Sequence, residues 1–82
     1  MKKDVVISMK EQMEATPIAH LVQLANQFGS SIYFEMDEKH VNAKSIMGMM
    51  SLMLTSGATV TVIAEGEDEE KAINALSDFL TA

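Results

Sequence analysis

Few residues of this chain are spaced so that they could do chemistry together. There are two histidines and no cysteine among its 82 residues, which excludes thiolate metal sites and cysteine nucleophiles. Neither His20 nor His40 belongs to a cluster with metal-ligand spacing, and no serine has a histidine and an acid at a motif spacing. Glycine-rich phosphate-binding motifs are absent from the sequence. The sequence therefore predicts a protein that is not an enzyme, with no catalytic residue, metal or cofactor.

The sequence is compatible with two roles for Ser45. It stands at the predicted start of a helix, where its hydroxyl can accept a backbone N–H as an N-cap. A phosphate there would be stabilised by the free N–H groups and the dipole of the helix, with Lys44 as a neighbouring positive charge. The residues alone favour the cap and leave the phosphorylation site open.

Two further candidates lie at the first predicted helix. Thr16 is the predicted N-cap of this helix, with Pro17 at the first helical position. Glu14 comes just before them, where a carboxylate gains modestly from the helix dipole. His20 lies one turn into the helix, on a row with Thr16 and Leu24 that is expected to face away from the core. Both residues are typical of a solvated helix surface.

The run from Glu65 to Glu70 contains five acids in six residues and suggests a cation site only by its charge. Acidic residues in the first turn of a helix are favoured by the helix dipole. We interpret this run as a solvated helix start.

Composition limits the classes of function further. The net charge is −6, with 48% apolar and 22% charged residues, which predicts a folded globular chain without direct nucleic-acid binding. The absence of cysteine fits a cytoplasmic protein. No stretch has the pattern of a signal peptide or a membrane span, so no contact with a membrane is expected.

The pattern of apolar residues predicts an α+β domain with the element order β-α-β-β-α-β-α. The strands form a four-stranded antiparallel sheet, with three helices on one face. Predicted strands cover residues 4–9, 31–36, 40–42 and 59–65, and predicted helices cover residues 16–28, 45–54 and 67–80.

The second predicted helix is unusual because it is apolar nearly all round. A helix of this kind is normally buried, yet so small a chain can cover only one of its sides. We expect Met49, Leu52 and Met53 to face inward. The opposite side of the helix, with Ile46, Met47 and Met50, is then expected to face solvent. Exposed methionine is typical of adaptable partner-binding surfaces.

The segment from Val41 to Leu52 resembles the regulatory-serine region of HPr, the small phosphocarrier of the bacterial sugar phosphotransferase system. It is especially similar to the catabolite-repression HPr (Crh) type of that family. Residues 64–70 resemble the last strand-to-helix junction of the family. The resemblance covers the whole chain and implies one HPr-like domain over residues 1–82, folded as an open-faced β-sandwich.

The resemblance also shows where this chain departs from the phosphocarriers. In HPr a histidine accepts phosphate from Enzyme I, and an arginine two residues later helps to hold it. Glu14 stands in the histidine position and Thr16 in the arginine position. A carboxylate repels phosphate and offers no phosphoramidate chemistry. We therefore expect the phosphohistidine relay to be lost.

Ser45 falls on the regulatory serine of the family, which HPr kinase/phosphorylase phosphorylates. The resemblance implies that the phosphorylated chain docks to a LacI-type catabolite control repressor and so acts in carbon catabolite repression. The matching positions for docking are Thr16, His20, Leu24, Ser45, Ile46, Met47 and Met50.

Two alternatives stay open from the sequence. The chain could be a phosphocarrier of the phosphoenolpyruvate-dependent sugar phosphotransferase system that uses Glu14 or His20. It could instead be an interaction module that binds its partners constitutively. The resemblance further implies that a homodimer could form by exchange of the first strand.

Overall fold

The pattern of strands and helices is that expected from the sequence. The computed structural model describes residues 1–8, 15–52 and 54–81, with the backbone alone described for residues 15–17. In chain order the elements are β1 (Lys2–Val6), α1 (Ala15–Ala25), β2 (Ser31–Met36), β3 (Lys39–Asn42), α2 (Ile46–Ser51), β4 (Thr59–Glu65) and α3 (Glu69–Leu80).

The four strands form one antiparallel sheet in the order β1-β4-β2-β3. Val5 lies opposite Val60, and Phe34 lies opposite Val62; all four side chains are buried. Because successive side chains of a strand point to opposite faces, these pairs define the inner face of the sheet.

All three helices cover this inner face. Leu21 of α1, Met49 of α2 and Leu76 of α3 are fully buried, and they belong to the same apolar cluster as Phe34 and Val62 of the sheet. The predicted architecture, an open sheet with three helices on one side, is thereby confirmed.

Polar contacts occupy the outer face of the sheet. Thr61 Oγ1 donates a hydrogen bond of 2.7 Å to Asp4 Oδ1. His40 Nδ1 lies 3.5 Å from Glu35 Oε1, and its ring stacks on that of Tyr33 with 4.9 Å between centroids. His40 therefore packs against its neighbours on the outer face of the sheet.

Both ends of β1 and both ends of α1 differ from the prediction. β1 begins and ends earlier than expected, although Ile7 N still donates to Ala58 O at 2.9 Å. α1 begins at Ala15, so Thr16 lies within the helix and the predicted Thr16 N-cap is wrong. The helix ends at Ala25, where Asn26 Nδ2 donates to Val22 O at 2.9 Å.

The second helix is shorter than its apolar sequence predicts. It ends at Ser51, because Leu52 adopts an extended conformation with φ −83° and ψ 124°. Leu52 and Leu54 are both buried, so the apolar character of this segment serves the core beyond the end of the helix.

The acidic run before α3 does more than start a helix in solvent, because one of its residues binds another part of the chain. Asp68 accepts hydrogen bonds from the backbone N–H groups of Gly29 and Ser30 at 2.9 and 3.0 Å, and from the Ser30 hydroxyl. Gly66, at φ 152°, allows this contact, because a Cβ atom there would lie 2.5 Å from Ser30 Oγ. Hydrogen bonds to Asp68 therefore link the turn before α3 to the turn before β2.

The Asp68 contacts predict a dependence of stability on pH. The Ser30 hydroxyl, and then the Gly29 N–H, hold the pKa of the Asp68 carboxyl below its ordinary value. A carboxyl whose pKa is lowered on folding stabilises the fold above its unfolded-state pKa, and this stabilisation is lost as the pH falls through the folded-state value. Asp68→Asn is expected to lower stability at neutral pH and to flatten part of the loss of stability below about pH 4.

Urea denaturation at a series of pH values measures this effect. Glu67→Gln is the matched control, because Glu67 is an exposed acid of the same run and accepts none of the bonds from Gly29 and Ser30. The Asp68 account is wrong if the Asp68→Asn and Glu67→Gln variants show the same stability at every pH.

Candidate functional site

Ser45 lies at the exposed end of the loop that joins β3 to α2. It is the N-cap of α2, as predicted, with φ −106° and ψ 117°. Its Oγ atom accepts a hydrogen bond from Gly48 N at 3.4 Å, and its carbonyl accepts one from Met49 N at 2.9 Å. The hydroxyl is thus held weakly, on an exposed residue.

Asn42 sets the conformation that leads into Ser45. Its side-chain Oδ1 accepts from Lys44 N at 2.8 Å, and its carbonyl accepts from Ser45 N at 3.0 Å. A side-chain oxygen that caps the backbone two residues later is a common way to fix a turn. The position of Ser45 relative to β3 is therefore determined by hydrogen bonds of the preceding turn.

The Lys44 side chain binds the turn that follows α1. Its Nζ atom donates to Phe28 O at 2.7 Å, at the end of the turn that follows α1. Asn26 Nδ2 makes a longer contact of 3.4 Å in the opposite direction, to Lys44 O. The lysine thus ties the end of α1 to the start of α2, and its charge is engaged there in the unmodified chain.

Beside Ser45, α2 presents an apolar surface to solvent. We call Ile46, Met47 and Met50 the α2 patch; their exposed fractions are 42%, 82% and 53%. Met49 and Leu52 lie on the other side with exposed fractions of 0% and 3%. The predicted division of this segment into an inner and an outer side is present, while Met53 lies outside the described residues.

The short helix that carries the α2 patch is held at both ends. Ser45 caps its first turn, and Lys39 Nζ donates to Ser51 O at 2.8 Å in its last turn. A cation at a helix C-terminus is favoured by the helix dipole. Neither this Lys39 contact nor the bond from Lys44 to Phe28 O could be predicted from the sequence, because each depends on how the elements are placed in space.

The α1 residues expected to take part in docking divide into different environments. His20 is exposed, as predicted. Leu24 is partly buried and packs against the core, so the expectation that its whole row faces away from the core is wrong at this position. α1 packs directly against α2, which places their surfaces next to each other. The Thr16 side chain lies outside the described residues.

Three further observations concern predictions made from the sequence. Glu14, which we expect in the family's histidine position, lies outside the described residues. Among residues 1–8, 15–52 and 54–81, no group of three or more histidine, cysteine or acidic side chains is arranged to hold a metal ion. No helix within these ranges is long and apolar enough to span a membrane.

The open sheet, the three helices on one face and the capped serine before α2 together define a phosphocarrier-like fold. A family model described as "PTS HPr component phosphorylation site" matches residues 1–82. The chain belongs to the HPr family.

Relatives within that family include Crh proteins. The HPr-like protein Crh of Halalkalibacterium halodurans is 51% identical over 79 residues, which cover 96% of this chain and 94% of that protein. The HPr-like protein Crh of Bacillus subtilis is 46% identical, and the match covers 96% of this chain and 93% of the relative.

Solved structures show the same fold. The phosphocarrier protein HPr from Bacillus anthracis superposes with a TM-score of 0.92 and 45% identity, covering 98% of this chain and 95% of the other. The crystal structure of Crh from Bacillus subtilis, described as a swapped dimer, superposes with a TM-score of 0.78 and 47% identity, covering 93% and 87%.

Proposed function

We propose that this chain is a regulatory protein of the Crh type, switched by phosphorylation of Ser45 and acting through a LacI-type catabolite control repressor. The observation that carries the proposal is that an exposed, weakly bonded serine hydroxyl lies directly beside an exposed apolar patch. An HPr kinase/phosphorylase would transfer phosphate from ATP or pyrophosphate to the Ser45 Oγ atom.

The chemistry of this surface defines what its partner must offer. A phosphoserine adds a charge of about −1.5 to −2 to a chain that is already acidic. The partner therefore needs a basic side chain for the phosphate and an apolar cleft for the α2 patch. Since the net charge of the chain is −6, we expect docking to a DNA-binding regulator and no direct contact with DNA.

A phosphorylation assay tests the first step of the proposal. Incubation with HPr kinase/phosphorylase and ATP, followed by peptide mapping in a mass spectrometer, is expected to place one phosphate on Ser45. Ser45→Ala is expected to abolish the label, and Ser51→Ala is the matched control because Ser51 is an exposed serine of the same short helix. Absence of phosphate on Ser45 would show that the chain is no substrate of this kinase.

We further propose that the chain forms a homodimer by exchange of β1. Among the strands that the structure describes, β1 lies at the edge of the sheet and pairs only with β4, so an identical strand from a second copy could take its place. The swapped dimer of the Bacillus subtilis relative supports this proposal. Light scattering after size-exclusion chromatography is expected to resolve monomer and dimer, and a single monomeric species at every concentration would contradict it.

A further inference from the structure

We propose that Met47 and Met50 are oxidation sites for peroxides, and that their sulfoxides disable the α2 patch as a docking surface. The second half of this inference rests on the proposed function, whereas the first half rests on the structure of α2 alone. The class of reactant is a hydroperoxide, such as hydrogen peroxide.

The geometry of α2 separates its methionines into exposed and protected ones. Met47 and Met50 are three residues apart on a helix, so they lie on the same side, and their exposed fractions are 82% and 53%. Met49, between them in sequence, has an exposed fraction of 0% because it belongs to the core. A peroxide in solution can therefore reach the first two sulfur atoms and not the third.

The composition of the chain directs oxidation to methionine. There is no cysteine and no tryptophan among the 82 residues, so no thiol competes within the chain for the oxidant. Thioethers are then the side chains that a peroxide oxidises most readily by two electrons. The most exposed of those with described burial is Met47, and it lies two residues after Ser45.

The reaction needs only the peroxide as co-reactant. The thioether sulfur attacks one peroxide oxygen, the S–O bond forms and the O–O bond breaks. The sulfur is oxidised by two electrons, and the other oxygen takes up the proton and leaves as water. The product is a polar sulfoxide in place of a flexible apolar side chain, so the α2 patch loses the character that would bury it against an apolar cleft.

The fold is expected to survive this change, because Met47 and Met50 are exposed and do not belong to the core cluster. The Ser45 cap and the bond from Lys39 to Ser51 O hold the two ends of α2, and Met49 holds its inner side in the core. Neither of the two hydrogen bonds involves the side chain of Met47 or Met50. Oxidation of Met47 and Met50 is thus expected to alter the surface and leave the thermal unfolding midpoint within a few degrees of the untreated value.

The first experiment measures the rates of oxidation. The full folded chain is treated with dilute hydrogen peroxide, and peptide mapping follows each methionine with time. Met47 and Met50 are expected to react at least about tenfold faster than Met49, and the three rates are expected to converge in urea. Equal rates for Met47 and Met49 in the folded chain would overturn the assignment. Met1, with an exposed fraction of 50%, is followed separately.

The second experiment measures the effect on docking. The Ser45-phosphorylated chain is oxidised, freed of peroxide with catalase, and titrated against the repressor. We expect oxidation to weaken binding about tenfold. The double variant Met47→Leu, Met50→Leu is the control. Its affinity for the repressor is compared before and after peroxide treatment, and we expect the two values to be equal. Unchanged affinity of the oxidised natural chain would overturn the effect on docking.

The two experiments fail in different ways. If the unoxidised phosphorylated chain does not bind the repressor, the proposed function is wrong and the claim about docking falls with it. The difference in oxidation rate between Met47 and Met49 is measured without a partner, so it stands or fails by itself.

Discussion

The substitution Met47→Glu is expected to weaken binding of the Ser45-phosphorylated chain to the repressor by about thirtyfold or more. Met47 is the most exposed residue of the α2 patch, with an exposed fraction of 82%. A partner that covers this side chain removes its apolar surface from water, whereas a carboxylate in the same place would have to be desolvated without a counter-ion. Titration calorimetry measures the difference in affinity.

The same substitution should leave the fold intact, because Met47 contributes little to the core. Val6→Glu is the matched control: Val6 is an apolar residue with an exposed fraction of 57%, and it lies on β1 rather than on α2. We expect the Val6→Glu chain to bind like the unsubstituted chain. Equal losses in the two variants would indicate a general effect of charge, and no loss at Met47 would show that the α2 patch is not the docking surface.

Enzyme I and phosphoenolpyruvate are expected to leave this chain unlabelled. We expect Glu14 to stand at the position that carries phosphate in phosphocarriers, and Thr16 at the position of the supporting arginine. A carboxylate repels the incoming phosphoryl group, and no cation stands two residues later to offset that repulsion. The double variant Glu14→His, Thr16→Arg is expected to gain the label, because it restores both an imidazole acceptor and a cation beside it.

Labelling with radioactive phosphoenolpyruvate distinguishes this account from a working phosphocarrier. His20→Gln serves as the control for transfer to the exposed histidine of α1. Label on the unsubstituted chain that disappears in His20→Gln would show transfer to this histidine and would favour the phosphocarrier alternative. Label that persists in His20→Gln and disappears in Glu14→Gln would assign the acceptor to the carboxylate.

The sequence predicted the elements of the fold because their apolar periodicities are clear. β4, with its β-branched residues, has the predicted limits of Thr59 and Glu65. The limits of α2 were predicted less well, since an apolar run is compatible with a helix or with extended chain. The choice at Leu52 depends on where the core lies, which periodicity alone does not contain.

The candidate site was predictable in its residues and less so in its contacts. The cap at Ser45 and the outward side of α2 follow from local rules about helix ends and helical faces. Lys44, by contrast, binds Phe28 O, and Asp68 binds the turn at Gly29 and Ser30. These partners are distant in sequence, so only the folded arrangement could reveal them.

The proposed switch is measured by the affinity of the repressor for this chain with and without phosphate on Ser45. We expect phosphorylation to strengthen binding by at least about tenfold, a coupling free energy of about 1–3 kcal/mol. Kinase-treated Ser45→Ala is expected to bind like the unphosphorylated chain. Equal affinity of the phosphorylated and unphosphorylated chains would contradict the switch and identify a constitutive interaction module.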